Sequence, residues 1–316
     1  MPAIVTITFS PCIDRSATVP ELIPEKKLRC GPPKLEPGGG GVNVARAIKK
    51  LGGDVVAIYP AGGYTGMHFN KLLAAEGIAV VIIETKNETR ENIIILDESQ
   101  NKQYRFGMPG TAMEKKEWEQ LLQAVDSMND TDFIVASGSL PPGVSDDIFG
   151  RIANIAKKKN ARLVVDTSGE PLRHAVEEGV YLLKPNLGEL ARLVNKEHLN
   201  EKDIVRYARQ VIQRGKAEAI IVSMGAGGAL LINASIEKRV SAPPAERKST
   251  VGAGDSMVAG IVLALSQGKS LETATQYGVA CGTAATLNPG TELCAKEDSD
   301  RFFEQIILLE SRAHPS

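Results

Sequence analysis

The chain lacks any excess of one charge. Its 37 lysines and arginines stand against 38 aspartates and glutamates, a formal net charge of −1 at pH 7. A nucleic-acid partner calls for a basic stripe, and the runs Lys115-Lys116 and Lys157-Lys158-Lys159 are short enough to read as solvated helix faces. No apolar run reaches 18 residues, so no membrane-spanning helix is expected. Cysteine is scarce and scattered at Cys12, Cys30, Cys281 and Cys294, with no C-x-x-C spacing. That argues against a zinc site or a disulfide framework and predicts a reducing, cytoplasmic setting. Met1-Pro2-Ala3 runs straight into strand-like Ile4–Phe9, so no secretory leader is expected. Internal repeats and low-complexity segments are also missing.

Two familiar nucleotide signatures are absent as well. A Walker A loop ending in Gly268-Lys269-Ser270 would need glycine at position 263, which is Leu263. A dinucleotide fingerprint should follow the first strand, where Pro11 and Asp14 stand instead, and Gly225-Ala226-Gly227-Gly228 fails at Leu230. P-loop and nicotinamide-dehydrogenase readings therefore lose most of their support.

What is present is an ordinary globular composition, 43% hydrophobic and 24% charged over 316 residues, enough for one large α/β domain or two smaller ones. Short β-rich runs at 4–9, 55–59, 133–136, 163–165, 181–183 and 219–222 alternate with helical patterns at 44–51, 118–128, 148–158 and 204–214. That alternation predicts a mostly parallel sheet covered by helices. Ligands bind beyond the C-terminal ends of such strands, where Ser137, Ser139, Asp166, Ser168, Asn186 and Ser223 fall. Two segments break the pattern. Residues 15–37 carry five prolines, and residues 90–108 read as a β-hairpin turning at 97–102. Together they predict a small separate sheet, too small to stand alone, that covers a cleft, pairs with a second subunit, or both. The tail 311–316 is expected to fray.

The most informative stretch is Ser249-Thr250-Val251-Gly252-Ala253-Gly254-Asp255-Ser256-Met257, directly ahead of an apolar helical run ending at Leu265. Glycines let the backbone aim N–H groups at an anion, and a helix N-terminus adds partial positive charge. An acid planted there suits chemistry on a transferring group better than storage of an anion. The competing reading is an ordinary capped helix. At a helix N-terminus Asp255 is expected to be acidic and a weak base. Upstream, Gly38-Gly39-Gly40-Gly41-Val42-Asn43 precedes a helix expected near Val44, with backbone open to a ligand and an amide able to bond a hydroxyl. Lys184-Pro185-Asn186-Leu187-Gly188-Glu189 places Asn186 and Glu189 three apart, which fits either oxygen ligands for Mg²⁺ or a capping box.

These motifs, with Ser137-Gly138-Ser139-Leu140-Pro141-Pro142-Gly143, resemble the PfkB (ribokinase-like) carbohydrate kinases over nearly the whole chain. The resemblance implies a single ribokinase-like α/β domain over 1–316 with a lid sheet inserted from about 15–37 and 90–108. Within the family it points to the sugar-phosphate branch. There, Ser10 and Gly40 depart from the Asn and Lys of the 1-phosphofructokinase and tagatose types, whereas Glu36–Gly41 and Lys27–Cys30 match the minor-type 6-phosphofructokinases. The implied reaction is ATP-dependent phosphorylation of fructose 6-phosphate at O1. Kinases of tagatose 6-phosphate or fructose 1-phosphate are the nearest alternatives, and a sensor without turnover is the remote one.

The resemblance also implies roles for residues. Asp255 is the base, with Gly252, Ala253 and Gly254 holding the transferring phosphoryl. Asp14, Gly38, Gly39 and Asn43 bind the sugar, and Arg90, Ser139, Lys27 and Arg29 bind its phosphate. ATP lies against Lys184, Asn186, Ser223, Gly225, Gly227, Gly228, Ser249, Val279 and Thr283. Glu189 and Asp166 organise Mg²⁺ through water. Ser249, Val251, Ala285, Asn288 and Gly290 surround K⁺, with Glu292 at a further position where Arg is expected. A homodimer through the lid sheet follows from the open faces and edges of that sheet.

Overall fold

The computed structural model describes residues 4–313. Thirteen strands are described, in chain order β1 Ile4–Ile7, β2 Cys12–Val19, β3 Lys34–Gly38, β4 Val56–Ala61, β5 Ala79–Glu84, β6 Arg90–Asp97, β7 Lys102–Phe106, β8 Phe133–Ser137, β9 Arg162–Asp166, β10 Val180–Leu183, β11 Ala217–Ser223, β12 Ala229–Asn233 and β13 Glu237–Val240. Nine of them form the main sheet in the order β13-β12-β11-β10-β9-β8-β1-β4-β5. Every ladder from β11 to β5 is parallel, and only β12 and β13 run antiparallel at one edge.

Helices cover both faces, which is why the central strands are continuously apolar rather than alternating. In β8, Phe133 and Val135 face a core shared with helices Gly40–Lys50, Ala253–Ser266 and Leu271–Ala285. Ile134 and Ala136 face the opposite core, shared with helices Lys115–Ser127, Ile148–Lys158 and Glu201–Gln213. The expected mostly parallel sheet flanked by helices is thus present, and each β-rich run named from the sequence is a strand within two or three residues.

The remaining strands form the small sheet, in the order β3-β2-β6-β7. The expected hairpin is β6–β7, whose turn is tied by Asp97, which accepts from Ser99 N and Oγ and from Gln100 N. The other expected segment is strand only at its ends. Pro20, Pro24, Pro32 and Pro33 lie in the loop joining β2 to β3, where a locked φ and a missing N–H are tolerated. Ile93, Phe106 and Met108 of this part of the molecule are 38%, 48% and 41% exposed.

Two boundaries differ from expectation for physical reasons. The first helix begins at Gly40, inside the glycine run and not near Val44. A Cβ at Gly41 would lie 2.3 Å from the Ile7 carbonyl oxygen, so glycine there serves close packing of helix on strand. At the other end, helix Lys296–Ala313 includes Ser311, whose hydroxyl donates to Leu308 O. The expected fraying therefore does not begin at 311, and residues 314–316 lie outside the described part.

Candidate active site

The site is built where the parallel strands end. Ser137, Asp166 and Ser223 close β8, β9 and β11, and Lys184 follows β10. Facing them is the N-terminus of helix Ala253–Ser266. Every residue from Ser256 to Leu265 is buried, so this helix is held from all sides and its first turn is fixed in place. Gly252, with φ 74°, turns the chain into it, and Leu293 packs so closely that a Cβ there would meet Cδ2 at 2.7 Å. The first-turn amides have no intrahelical acceptors, although Ala253 N reaches Thr250 O at 3.5 Å, and Ala253 and Gly254 line the cleft.

Asp255 sits at the floor, and Asn43 Nδ2 donates to its Oδ2 at 2.9 Å. The expectation of an acidic Asp255 is overturned. Burial raises its pKa first and the charge of Asp166 second, to about 7, against the opposing effects of the Asn43 bond and Lys184. The helix N-terminus is outweighed by desolvation and a neighbouring carboxylate. A carboxyl poised near neutrality can take a proton from a hydroxyl.

Lys184 is 4% exposed, and its Nζ lies 3.1 Å from Asp166 Oδ1. Burial opposes its charge, but Asp166, Glu189 and Asp255 hold its pKa above the ordinary lysine value. A Cβ at Gly254 would lie 3.7 Å from this Nζ, so the buried cation stands beside the amides of the first turn.

On the small-sheet side, Asp14 is buried and accepts from Asn92 Nδ2 at 2.9 Å and from the Cys12 thiol at 3.4 Å. Burial pushes its carboxyl above the usual range. A Cβ at Gly38 would lie 2.6 Å from Asp14 Oδ2, so only glycine leaves that oxygen uncovered. Gly39, with φ 111°, leads into the helix carrying Asn43. Arg90 donates to Met108 O, Ser10 O and Asn92 Oδ1, and its Nε is buried without a partner. Ser139 is exposed after β8. Lys27 and Arg29, expected on the small sheet, instead stand exposed on the β2–β3 loop.

Across the helix N-terminus from the sugar side lies a cleft of about 560 Å³. Of the residues expected around ATP, Ser223, Gly225, Gly228, Val279 and Thr283 line it, together with Ala253 and Gly254. Gly228 could not be replaced, since a Cβ would fall 2.0 Å from the Val240 carbonyl. Gly227 belongs to the same short turn but is not in the lining, nor are Lys184, Asn186 and Ser249. Sequence reasoning missed Pro243, Pro244, Ala245 and Arg247 on this wall. The one signal for them was Pro-Pro just ahead of the glycine motif, which carries no chemistry by itself.

Asn186 and Glu189 form the capping box of helix Leu187–Leu193: Asn186 Oδ1 accepts from Glu189 N, and Glu189 Oε2 from Asn186 N, both at 2.9 Å. No group of three or more His, Cys, Asp or Glu side chains is arranged to hold a metal among the described residues. For a monovalent cation, Ser249 Oγ donates to Gly290 O at 2.7 Å and accepts from Val251 N, while Asn288 N donates to Ala285 O. These bonds tie the loop at 249–251 to the segment at 285–290. Glu292 pairs with Lys34 at 3.2 Å.

An acid poised near neutral pH, an amide-lined helix start and a nucleotide-sized cleft define an α/β phosphotransferase site. Residues 5–298 match the pfkB family carbohydrate kinases, and the chain belongs to that family. It is 44% identical to the ATP-dependent 6-phosphofructokinase isozyme 2 of Escherichia coli (strain K12), over 96% of this chain and 98% of that protein. Among solved structures it superimposes on phosphofructokinase-2 from E. coli in complex with potassium with TM-score 0.94 and 44% identity, covering 97% of this chain and all of that one. The complex of the same protein with fructose-6-phosphate gives TM-score 0.92 at 42% identity and the same coverage.

Proposed function

We propose that this kinase transfers the γ-phosphoryl of ATP to O1 of fructose 6-phosphate, forming fructose 1,6-bisphosphate. The observation that carries the reading is Asp255, with a pKa near 7, standing between the Asp14–Asn43–Arg90 side and the nucleotide cleft. Arg90 and Ser139 receive the substrate phosphate, and Asp14 and Asn43 its hydroxyls. The attacking hydroxyl lies at Asp255. In a loose transition state the hydroxyl becomes acidic late, so a carboxylate of this strength suffices to orient it and finally accept its proton. Amides of Gly252, Ala253 and Gly254, with Lys184 beside them, hold the charge of the transferring group. Val279 and Thr283, one turn apart on helix Leu271–Ala285, lie against the base and ribose end of ATP. Glu189 and Asp166 would hold Mg²⁺, which would neutralise phosphate charge. The oxygens of Ser249, Val251, Ala285, Asn288 and Gly290 fit K⁺, the ion bound by the E. coli relative.

The test is ADP release with Mg-ATP against fructose 6-phosphate, tagatose 6-phosphate, fructose 1-phosphate and free fructose. The highest kcat/KM is expected for fructose 6-phosphate. A preference for free fructose would remove the phosphate roles of Arg90 and Ser139, and no turnover at all would return the chain to the sensor reading.

We read the small sheet as a lid on a single domain and as the contact between two copies, because Ile93, Phe106 and Met108 leave an apolar face open. In that arrangement Lys27 and Arg29, on their exposed loop, reach the phosphate of the neighbouring subunit's substrate. Light scattering at micromolar concentration should give a dimer or a larger assembly of dimers; a monomer removes this reading. Four free cysteines, three of them buried, suit a reducing cytoplasm.

A further inference from the structure

We propose that Asn92 is a positioning residue that ties Asp14 to Arg90, and so sets the spacing between the hydroxyl-binding and phosphate-binding ends of the sugar site. The roles of Asp14 and Arg90 rest on the fructose 6-phosphate reading; the bonds do not. In the parallel β2–β6 ladder Asp14 is the register partner of Asn92, and Cys12 that of Arg90. Residues two apart on a strand share a face, so these four side chains make one rectangle on one face of the small sheet.

The Asn92 amide is spent in full. Its Oδ1 accepts from Arg90 Nη1 at 3.3 Å and from Met108 N at 3.1 Å. Its Nδ2 donates to Asp14 Oδ1 at 2.9 Å and to Cys12 Sγ at 3.2 Å. The orientation is not arbitrary, because a guanidinium and a backbone N–H can only donate, so the oxygen must face them. Asn92 thus works at a distance from the sugar. It pins Asp14 Oδ1, with help from the Cys12 thiol, and leaves Oδ2 turned to the gap under Gly38 where no side chain stands. It also aligns the guanidinium two residues earlier on its own strand.

The isosteric change Asn92→Asp makes the claim specific. The charged groups around Asp14 are Arg90 on β6, Glu36 on β3 and, across the cleft, Asp255; the Cys12 thiol on its own strand is kept protonated by burial. A second carboxylate at 92 keeps the bonds to Arg90 and Met108 but places oxygen against oxygen at Asp14. Above the shared pKa of such a pair the two repel; once one proton is taken up, an O–H donates to Asp14 as the amide did.

The experiment measures steady-state kinetics of the full-length wild type, Asn92→Ala and Asn92→Asp between pH 6 and 8.5, with melting curves alongside. Both variants are expected to raise the sugar-phosphate KM by about tenfold or more at pH 8, the cost of a lost bond to a buried charge. The KM for Mg-ATP should stay within about twofold, because the nucleotide cleft is on the other side of Asp255. In Asn92→Asp alone, the sugar-phosphate KM should fall back toward wild type as pH drops to 6. A KM within twofold of wild type for both variants, or a rise in Asn92→Asp that ignores pH, overturns the proposal. So does an equal rise in both KM values, which marks general damage to the fold. Should Asn92→Ala fail to fold, the isostere decides. Wild type is assayed on the hexose-phosphate panel first; a different preferred sugar removes the substrate reading, and the same variants assayed on that sugar still decide the role of Asn92.

Discussion

Asp255→Asn is expected to lower kcat by roughly 10²–10⁴-fold with both KM values within about threefold of wild type. The amide keeps the shape and can still accept the Asn43 bond, so the loss is that of the proton acceptor alone. The same change should stabilise the fold above neutral pH. In the folded chain the Asp255 pKa is raised from 3.8 to about 7, so folding favours its protonated form. The ionised carboxylate therefore costs stability progressively as pH rises from about 4 through 7, and that cost is fully present at pH 8. The substituted amide has no charge to desolvate, and the gain at pH 8 should be roughly 2–4 kcal/mol, vanishing toward pH 4. Wild-type kcat/KM should correspondingly fall on the acid side of about pH 7. Turnover within tenfold of wild type, or a lower melting temperature at pH 8, would sink the assignment of Asp255 as a half-buried base.

Much of this was legible in the chain because local rules and global fold agree. Phe133–Ala136 and Ala219–Val222 are apolar without alternation, and both are central parallel strands covered on two faces. The glycine-acid motif sits at a helix start because Gly252 supplies the left-handed turn and the apolar run after it must be buried. What was not legible depends on residues brought together from far apart. Asp255 looked acidic from its own helix; its pKa is raised first by burial among distant segments and second by Asp166, which ends a different strand. Asn92 looked like an ordinary hairpin residue, and its role exists only because β2 pairs parallel to β6. Pro243 and Pro244 offered only their place ahead of the glycine motif, since apolar walls of nucleotide sites carry no distinctive chemistry. The Asn186/Glu189 pair stood equally for capping and for metal binding; the side chains make the capping box, and one Glu189 oxygen remains outside that exchange.

Lys184→Met should have the largest effect on stability. Its side chain and that of Asp166 are 5% and 15% exposed, so removing the cation leaves a buried carboxylate unpaired. Breaking such a pair from one side costs about 3–5 kcal/mol. The sign is clear: the folded-state pKa of Lys184 is raised above 10.5, so its contribution is fully present below that value, including at pH 7, and is lost only as pH climbs through the folded pKa. The double variant Lys184→Met/Asp166→Asn holds no unpaired buried charge from the pair. It should melt above Lys184→Met although it carries one more substitution, a non-additivity that measures the pair itself. Turnover should not return with stability, because the cation beside Gly254 is still missing where phosphate charge must be held. Asp166→Asn alone isolates the electrostatics. It removes the second-largest cause of the raised Asp255 pKa and leaves Lys184 nearer to free, and both changes move the acid limb of kcat/KM to lower pH. If the double variant melts no higher than Lys184→Met, or the acid limb of Asp166→Asn moves upward, then Asp166 is not the charge that sets the strength of the base.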